Sequence, residues 1–331
     1  MKDARDPSPA AWRSPDLEIR VGISSCLLGR SVRYDGGHQQ DAYITGTLAR
    51  HFTWVPVCPE IELGLGVPRE PIRLVGDSAA PRLMATQSGT DLTEAMDTYA
   101  RARVGALGAA GLSGYILKRA SPSCGMERVK VYPKTGGVPS RIGRGLFARR
   151  LMEAYPLLPV EEEGRLSDLR LRDNFITRVF AYRRLGALAD GGARPGDIVS
   201  FHTAHKFLLL AHSPADYARL GRLLGNLKSL PRREWLARYG EGFMRALTVS
   251  ATPRNHVNVL QHISGFVKRR LTTGEKRELG ALIADFAEGL VPLVAPLTLI
   301  RHYVVKFEVD YLADQLYLSP YPKELMLRSH L

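Results

Sequence analysis

The chain has three cysteines, and each follows a short apolar run rich in β-branched or aromatic residues. Ile19, Val21 and Ile23 lead through Ser24-Ser25 to Cys26. Trp54, Val55 and Val57 lead to Cys58, and Tyr115, Ile116 and Leu117 precede KRASPSC, which ends in Cys124. If these runs are parallel strands of one sheet, the thiols emerge at one rim, the carboxyl edge where open α/β sheets bind ligands. Three thiols at one rim have four readings. They are unrelated buried cysteines, since free cysteine is among the most buried residues. They hold zinc with His38 as a fourth ligand, although structural zinc sites commonly use close pairs and the separations here are 32 and 66 residues. One is a nucleophile, which leaves the other two without a role. Or they ligate three irons of a [4Fe–4S] cluster, which takes four cysteines when fully ligated, leaving one iron open to a substrate sulfur.

The elements that would position these thiols alternate along residues 18–160. Strands are expected over 18–24, 53–57 and 113–118, with a further one near 128–132. Helices are expected over 39–51, 91–111 (with Thr90 as a cap) and 145–155. Such alternation implies an α/β domain with a mostly parallel sheet covered on both faces. The run PLLPVEEEGRLSD, 156–168, has two prolines and three successive glutamates and reads as a boundary rather than as core. Beyond it the strand signature fades. Ser213-Pro214 and Thr252-Pro253 read as helix starts, as do Thr273 and Glu275. A mainly α-helical C-terminal domain follows. The expected organisation is a flexible tail over 1–17, a catalytic domain over 18–163 and a basic helical domain over 164–331.

The 331 residues carry a formal net charge of +13. About +3 falls up to Glu163 and +10 beyond it, so the second half is the one expected to meet a polyanion. No apolar run is long enough to cross a bilayer, and the first residues lack the apolar middle of a signal peptide. A cytoplasmic protein without disulfides is the expectation, with its cysteines in metal or catalytic use.

The motifs GISSCLLGRSVRYDGG, VCPEIELGLGVPREPIRL and KRASPSCG occur in that order within residues 19–160 and resemble the thiouracil desulfidase (TudS-like) family. NFITRVFAYRR, FHTAHKFLLLAHS, NHVNVLQHISGFVKR and VPLVAPLTLIRHY resemble the helical YbgA-like domain often fused to it. The resemblance implies a [4Fe–4S] cluster on Cys26, Cys58 and Cys124. It also implies that the fused form acts on 4-thiouridine in RNA, with tRNA the expected partner. One rival is the same reaction on free thiouracil or thionucleosides, with the helical half serving a homo-oligomer. Another is a non-enzymatic nucleic-acid-binding protein with a structural metal.

Replacing C=S by C=O needs a Lewis acid for the sulfur and a base to activate water. Glu60, two residues past Cys58, is the candidate base; the plainer reading is a turn cap or a partner for Arg33 or Lys118. Glu62 and Glu70 are weaker candidates. Ser121 and Ser123 flank Pro122 before Cys124, and the family pattern implies a serine near this cysteine. Either is placed to hydrogen-bond a substrate oxygen or cluster sulfide, or to be a turn residue. Ser24 and Ser25 share that ambiguity. In RYDGG, Asp35 is a candidate to read a base N–H and Arg33 to meet a phosphate or ribose. Lys118 is a candidate to orient the substrate carbonyl or neutralise charge. RIGRGLF, 141–147, is either a helix-start anion site or a packing glycine. In the second half, Lys268-Arg269-Arg270, Arg232-Arg233 and Arg183-Arg184 are candidate phosphate contacts. Trp235, Tyr239, Tyr182 and Tyr217 are candidate stacking partners for unpaired bases.

Overall fold

The computed structural model describes residues 11–14, 17–226 and 229–329. The chain divides into two compact units, Glu18–Ser167 and Asp168–Leu331, the latter with Met1–Leu17. The first unit holds eight strands: β1 Arg20–Ser24, β2 Thr53–Val57, β3 Ile72–Val75, β4 Arg82–Ala85, β5 Gly114–Leu117, β6 Val129–Tyr132, β7 Ser140–Gly143 and β8 Val160–Glu162. Its helices are α1 Pro59–Glu62, α2 Thr93–Gly108 and α3 Leu146–Ala154.

One sheet has the order β2-β1-β5-β8, with every pairing parallel. Val21, Ile23, Tyr115, Ile116 and Leu117 are fully buried in it, as strands covered on both faces must be. Gly22 lies where the Tyr115 ring crosses the sheet; a Cβ there would meet the ring at 2.2 Å. α2 buries Met96, Ala100, Val104 and Leu107 along one stripe, and α3 buries Leu146, Phe147, Ala148 and Leu151. The chain leaves β1 toward β2 and leaves β5 toward β8. β1 and β5 are neighbours, so their outgoing connections diverge and open a crevice at their carboxyl ends.

Several expectations change here. A second sheet, β4-β3-β6-β7, is mixed rather than parallel and takes up the predicted strand near 128–132. The stretch 39–51 is a π-helical turn at Tyr43–Thr47 followed by a 3-10 turn at Leu48–Arg50. Thr90 does not cap α2: its carbonyl accepts from Ala85, and Asp91 accepts the Thr93 N–H at 2.9 Å. The supposed boundary run contributes β8, with Glu161 and Glu162 buried. Glu161 meets Arg165 Nε at 2.6 Å, and Glu162 accepts the Met126 N–H at 2.7 Å. A neighbour four residues on and a partner 36 residues back therefore satisfy an acidic run as an edge strand.

The second unit is helical: α4 Leu169–Asp190, α5 Pro195–Ala204, α6 Lys206–His212, α7 Pro214–Gly225, α8 Arg232–Thr248, α9 Pro253–Val267, α10 Thr273–Ala287, α11 Val294–Lys306 and α12 Asp310–Ala313. Ser213 and Thr252 cap α7 and α9 through their side chains, and α10 starts at Thr273 as expected, capped by Thr272 in a capping box with Glu275. Ala11–Arg13, placed in a tail by the sequence reading, form a 3-10 turn. Trp12 is buried with its ring 5.0 Å from that of Phe201, and Arg13 pairs with Asp314 at 2.7 Å. The remainder of the expected tail, 1–10 and 15–16, lies outside the described residues. No described helix is long and apolar enough to cross a membrane.

Candidate functional site

The three cysteines sit at the carboxyl ends of β1, β2 and the loop after β5, three adjacent strands in the order β2-β1-β5. All three line one cavity of about 400 Å³, in the range of small-molecule sites. Ser24, Ser25, Arg33, Tyr34, Glu60, Arg69, Lys118 and Ser121 line it as well. The sequence fixes each thiol by a different local device. Cys26 follows β1 in the turn Ser25–Leu28, which Gly29 closes at φ 86°. Cys58 opens α1, and its sulfur faces the backbone N–H groups of Ile61 and Glu60. Cys124 is held by the start of α3: Leu146 N–H donates to Pro122 O at 3.2 Å and Ala148 N–H to Ser123 O at 3.2 Å. Gly145 makes that approach possible, because a Cβ would lie 2.5 Å from the Ser123 carbonyl carbon and oxygen. The glycine-rich RIGRGLF stretch is thus a packing device, and these two N–H groups of α3 are spent on backbone carbonyls.

Burial pushes the Cys26 thiol up to about 11 against the pull of Lys118. Burial also raises Cys58 and Cys124, the latter with Glu60 adding to the effect. A lone cysteine nucleophile needs the opposite environment, one that favours thiolate. Thiols that deprotonate only when they gain a metal fit this one. A mononuclear tetrahedral site would bring its sulfurs to about 3.8 Å of one another. Among the described residues no group of three His, Cys, Asp or Glu is gathered to hold a metal ion. His38 does not line the cavity; its Nδ1 accepts the Gln40 N–H at 3.3 Å. Three thiols on the wall of one roomy cavity, each from a different strand end, suit a multi-iron group that takes one thiolate per iron.

Glu60 lines the cavity and is paired with Arg69, a residue the sequence reading did not single out. Arg69 donates to Glu60 Oε2 from Nη2 at 2.5 Å and from Nε at 3.1 Å, and the two side chains are only 6% and 15% exposed. Arg69 also donates to Val32 O at 3.0 Å and Gly66 O at 2.8 Å. Ser123 Oγ donates to Glu60 Oε1 at 2.5 Å, and Ser121 Oγ lies 3.0 Å from Ser123 Oγ. Ser123 is fully buried and off the cavity wall, whereas Ser121 lines it and accepts the Cys124 N–H at 3.1 Å. Neither Arg33 nor Lys118 is the partner of Glu60. Lys118 Nζ is ion-paired with Glu163, which also accepts the Arg119 N–H at 2.8 Å.

Ser24 faces Cys124 and accepts the Lys118 N–H at 3.0 Å, tying β1 to β5 at the rim. Ser25 is buried on the cavity wall. Asp35 is off the wall, where it accepts the Gly37 N–H at 3.0 Å and meets Arg33 at 3.4 Å, the work of a turn residue. Glu62 is engaged by the Cys58 N–H and the Tyr99 hydroxyl. Glu70 binds Ser88 and the Gln87 N–H away from the cavity. In the helical unit Trp235 and Tyr239 are buried core residues, and Tyr217 stacks on His202 at 5.1 Å. Arg184 is buried and donates to Pro320 O at 2.7 Å. Those four are not the free base-stacking and phosphate-binding groups the sequence expectation named, whereas Arg233, Lys268 and Arg269 are exposed, as are Arg232 and Arg270, which donate to Ala189 O at 3.3 Å and to Phe307 O.

Fold and site define a two-unit protein: an α/β unit with a three-thiol cavity at the edge of a parallel sheet, followed in sequence by a helical unit. A family model described as 2-thiouracil desulfurase matches residues 21–163, and one described as a protein of unknown function, DUF1722, matches 206–322. The chain belongs to the 2-thiouracil desulfurase family through its α/β unit and to DUF1722 through its helical unit. It is 31% identical over 160 residues to the Escherichia coli K12 "Uncharacterized protein YbgA", covering 48% of this chain and 95% of that one. It is 33% identical over 153 residues to the Bacillus subtilis 168 "Uncharacterized protein YbbK", covering 44% of this chain and 97% of that one. A solved structure described as "[4Fe-4S]-dependent thiouracil desulfidase TudS" aligns with a TM-score of 0.38 and 30% identity, covering 47% of this chain and 97% of that one.

Proposed function

We propose that this protein is a [4Fe–4S]-dependent desulfidase that converts 4-thiouridine in tRNA to uridine, with Cys26, Cys58 and Cys124 as cluster ligands and Glu60 as the base. The observation that carries the reading is the meeting of three thiols and a clamped carboxylate on one cavity wall. The family of the α/β unit supports it. A cluster on three thiolates, with one iron free of protein ligand, would supply Lewis acidity toward the substrate sulfur.

The chain's own groups do the rest. Glu60, held by Arg69 through Oε2 and by Ser123 through Oε1, keeps a lone pair on Oε1 for a water and takes a proton from it as the water oxygen bonds to the ring carbon. The carbon–sulfur bond then breaks, and sulfur leaves as hydrosulfide. The Ser123–Ser121 hydroxyl pair leads from Glu60 Oε1 back to the cavity wall, a route by which that proton reaches the departing sulfur. Thiocarbonyl and water become carbonyl and hydrogen sulfide, and no electrons are exchanged. The exposed cations Arg232, Arg233, Lys268, Arg269 and Arg270 support an RNA contact by the helical unit.

The test is oxygen-free purification followed by iron and sulfide analysis, then turnover of thiolated tRNA beside free 2-thiouracil. The reading predicts four irons per chain and faster use of the tRNA. Protein that carries zinc and turns over neither substrate overturns it. Preference for the free base removes the tRNA assignment alone. Alanine at Cys26, Cys58 or Cys124 abolishes cluster retention, and a full iron complement in all three variants refutes the ligand set.

A further inference from the structure

Among the described residues Tyr34 is the one aromatic residue on the cavity wall, and it is 41% exposed. Packing does not account for it: its hydroxyl makes no hydrogen bond among the described residues, and it is not a core side chain. Its setting is built. The Asp35–Gly37 hydrogen bond and the left-handed Gly36 form the turn that follows it. The Arg33 guanidinium stands over the ring, 5.5 Å from the centroid, and covers one face by a cation–π contact.

The Tyr34 carbonyl accepts the Arg69 N–H at 2.9 Å. Arg69 is also the residue whose side chain grips Glu60 and the Val32 carbonyl. Tyr34 and Glu60 therefore share one mount: the backbone of Arg69 fixes the aromatic residue, and its guanidinium fixes the carboxylate. A flat ring laid on Tyr34 would be presented to Glu60 in a set relation, and a pyrimidine has the π face that an aromatic residue takes.

We infer that Tyr34 is the stacking platform for the substrate's pyrimidine ring and hence a substrate-binding and positioning residue of this cavity. The inference rests on the desulfidase reading above and adds the group that holds the ring. It makes Tyr34 a binding residue, with no proton or electron to transfer. It also gives Arg33 the task of backing the platform, in place of the phosphate contact expected from the sequence.

The test compares wild type with Tyr34→Phe, Tyr34→Leu and Tyr34→Ala in cluster-loaded protein. It measures kcat and KM for 2-thiouracil and for thiolated tRNA, and separately the dissociation constant of uracil by calorimetry. Stacking of a base on an aromatic side chain corresponds to roughly 5- to 150-fold in affinity. Tyr34→Ala weakens uracil binding and raises KM within that range, Tyr34→Phe stays within about threefold of wild type, and Tyr34→Leu falls near the alanine variant because it restores bulk without a π face. Circular dichroism and iron content identify any variant that misfolds, and the leucine variant then carries the comparison. Wild type that turns over substrate while the leucine and alanine variants bind uracil and thiouracil as wild type does overturns the platform and leaves the desulfidase reading intact. Absence of turnover of any thiolated pyrimidine by cluster-loaded wild type removes both.

Discussion

Arg69→Met tests the support of the cavity most directly. Methionine keeps the length of the stem and removes the guanidinium. Glu60 then keeps only Ser123 as a donor, and the carbonyls of Val32 and Gly66 each lose a partner. Breaking a buried ion pair by removing one member costs about 3–5 kcal/mol. Glu60 is 15% exposed on an open wall, so water recovers part of this and a net loss of about 3 kcal/mol follows. Glu60→Gln/Arg69→Met removes the orphaned charge as well and should cost only about 1–2 kcal/mol; with Glu60→Gln alone, which leaves the Arg69 charge unpaired, also costing about 1–2 kcal/mol, the coupling is about 3 kcal/mol. Hydrogen exchange at the β1 and β5 amides, followed by mass spectrometry on the full chain, reads the stability of the α/β unit without the helical one. An Arg69→Met loss under about 1 kcal/mol, or a coupling under about 0.5 kcal/mol, would refute the clamp and with it the fixed placing of Glu60.

Three further outcomes follow from the packing and the charges. Gly145→Ala drives a methyl into the Ser123–Cys124 backbone and should cost at least about 2 kcal/mol while lowering iron retention; a variant with wild-type iron content and stability would show that this contact yields easily. Burial lowers His202 to about 4 and His256 to about 3, whereas the unfolded chain binds those protons near 6.5. Stability from the neutral rings is full above that value and is lost as pH falls toward the folded values. Between pH 7.5 and 5 the pair should cost about 4 kcal/mol, seen as a lower urea midpoint for the helical signal, and equal midpoints contradict it. If the exposed cations of the helical unit contact RNA, Lys268→Gln with Arg269→Gln lowers the slope of log affinity for tRNA against log salt by about 1 to 2; an unchanged slope removes that pair from the interface.

What the sequence made legible is whatever local pattern decides. A β-branched run followed at once by a cysteine located β1 and β2, and Ser213 and Thr252 announced helix starts without reference to anything distant. The second sheet was mostly hidden because β3, β4 and β7 are four-residue strands that each carry an arginine, Arg73, Arg82 and Arg141, too short for alternation to stand out. β8 was misread because the burial of Glu161 and Glu162 depends on Arg165 and on the Met126 N–H. The region 39–51 carries helical spacing, yet it includes Gly46 and resolves into two short turns. Of the candidate site, Cys26, Cys58, Cys124, Glu60, Ser121 and Lys118 do meet on one wall. Arg69 escaped notice because nothing in a nine-residue spacing inside a proline- and glycine-rich loop marks an ion pair. Asp35 and Trp235 were over-read for the converse reason: their side chains satisfy a turn and a core.

The thiols lie on three separate connections of a parallel sheet, 32 and 66 residues apart. Parallel neighbours cannot be zipped by a tight turn; each must wait for its crossover to return. A growing chain therefore offers any incoming inorganic group one isolated sulfur after another. The three-point grip comes into being only when the last crossover has docked. Topology alone thus sets an order of assembly: a group held by all three thiols, as proposed, enters only after β5 has paired with β1 and the start of α3 has docked on the Ser123–Cys124 backbone. If Cys26, Cys58 and Cys124 hold a cluster as proposed, peeling away any one of those strands means breaking a metal bond.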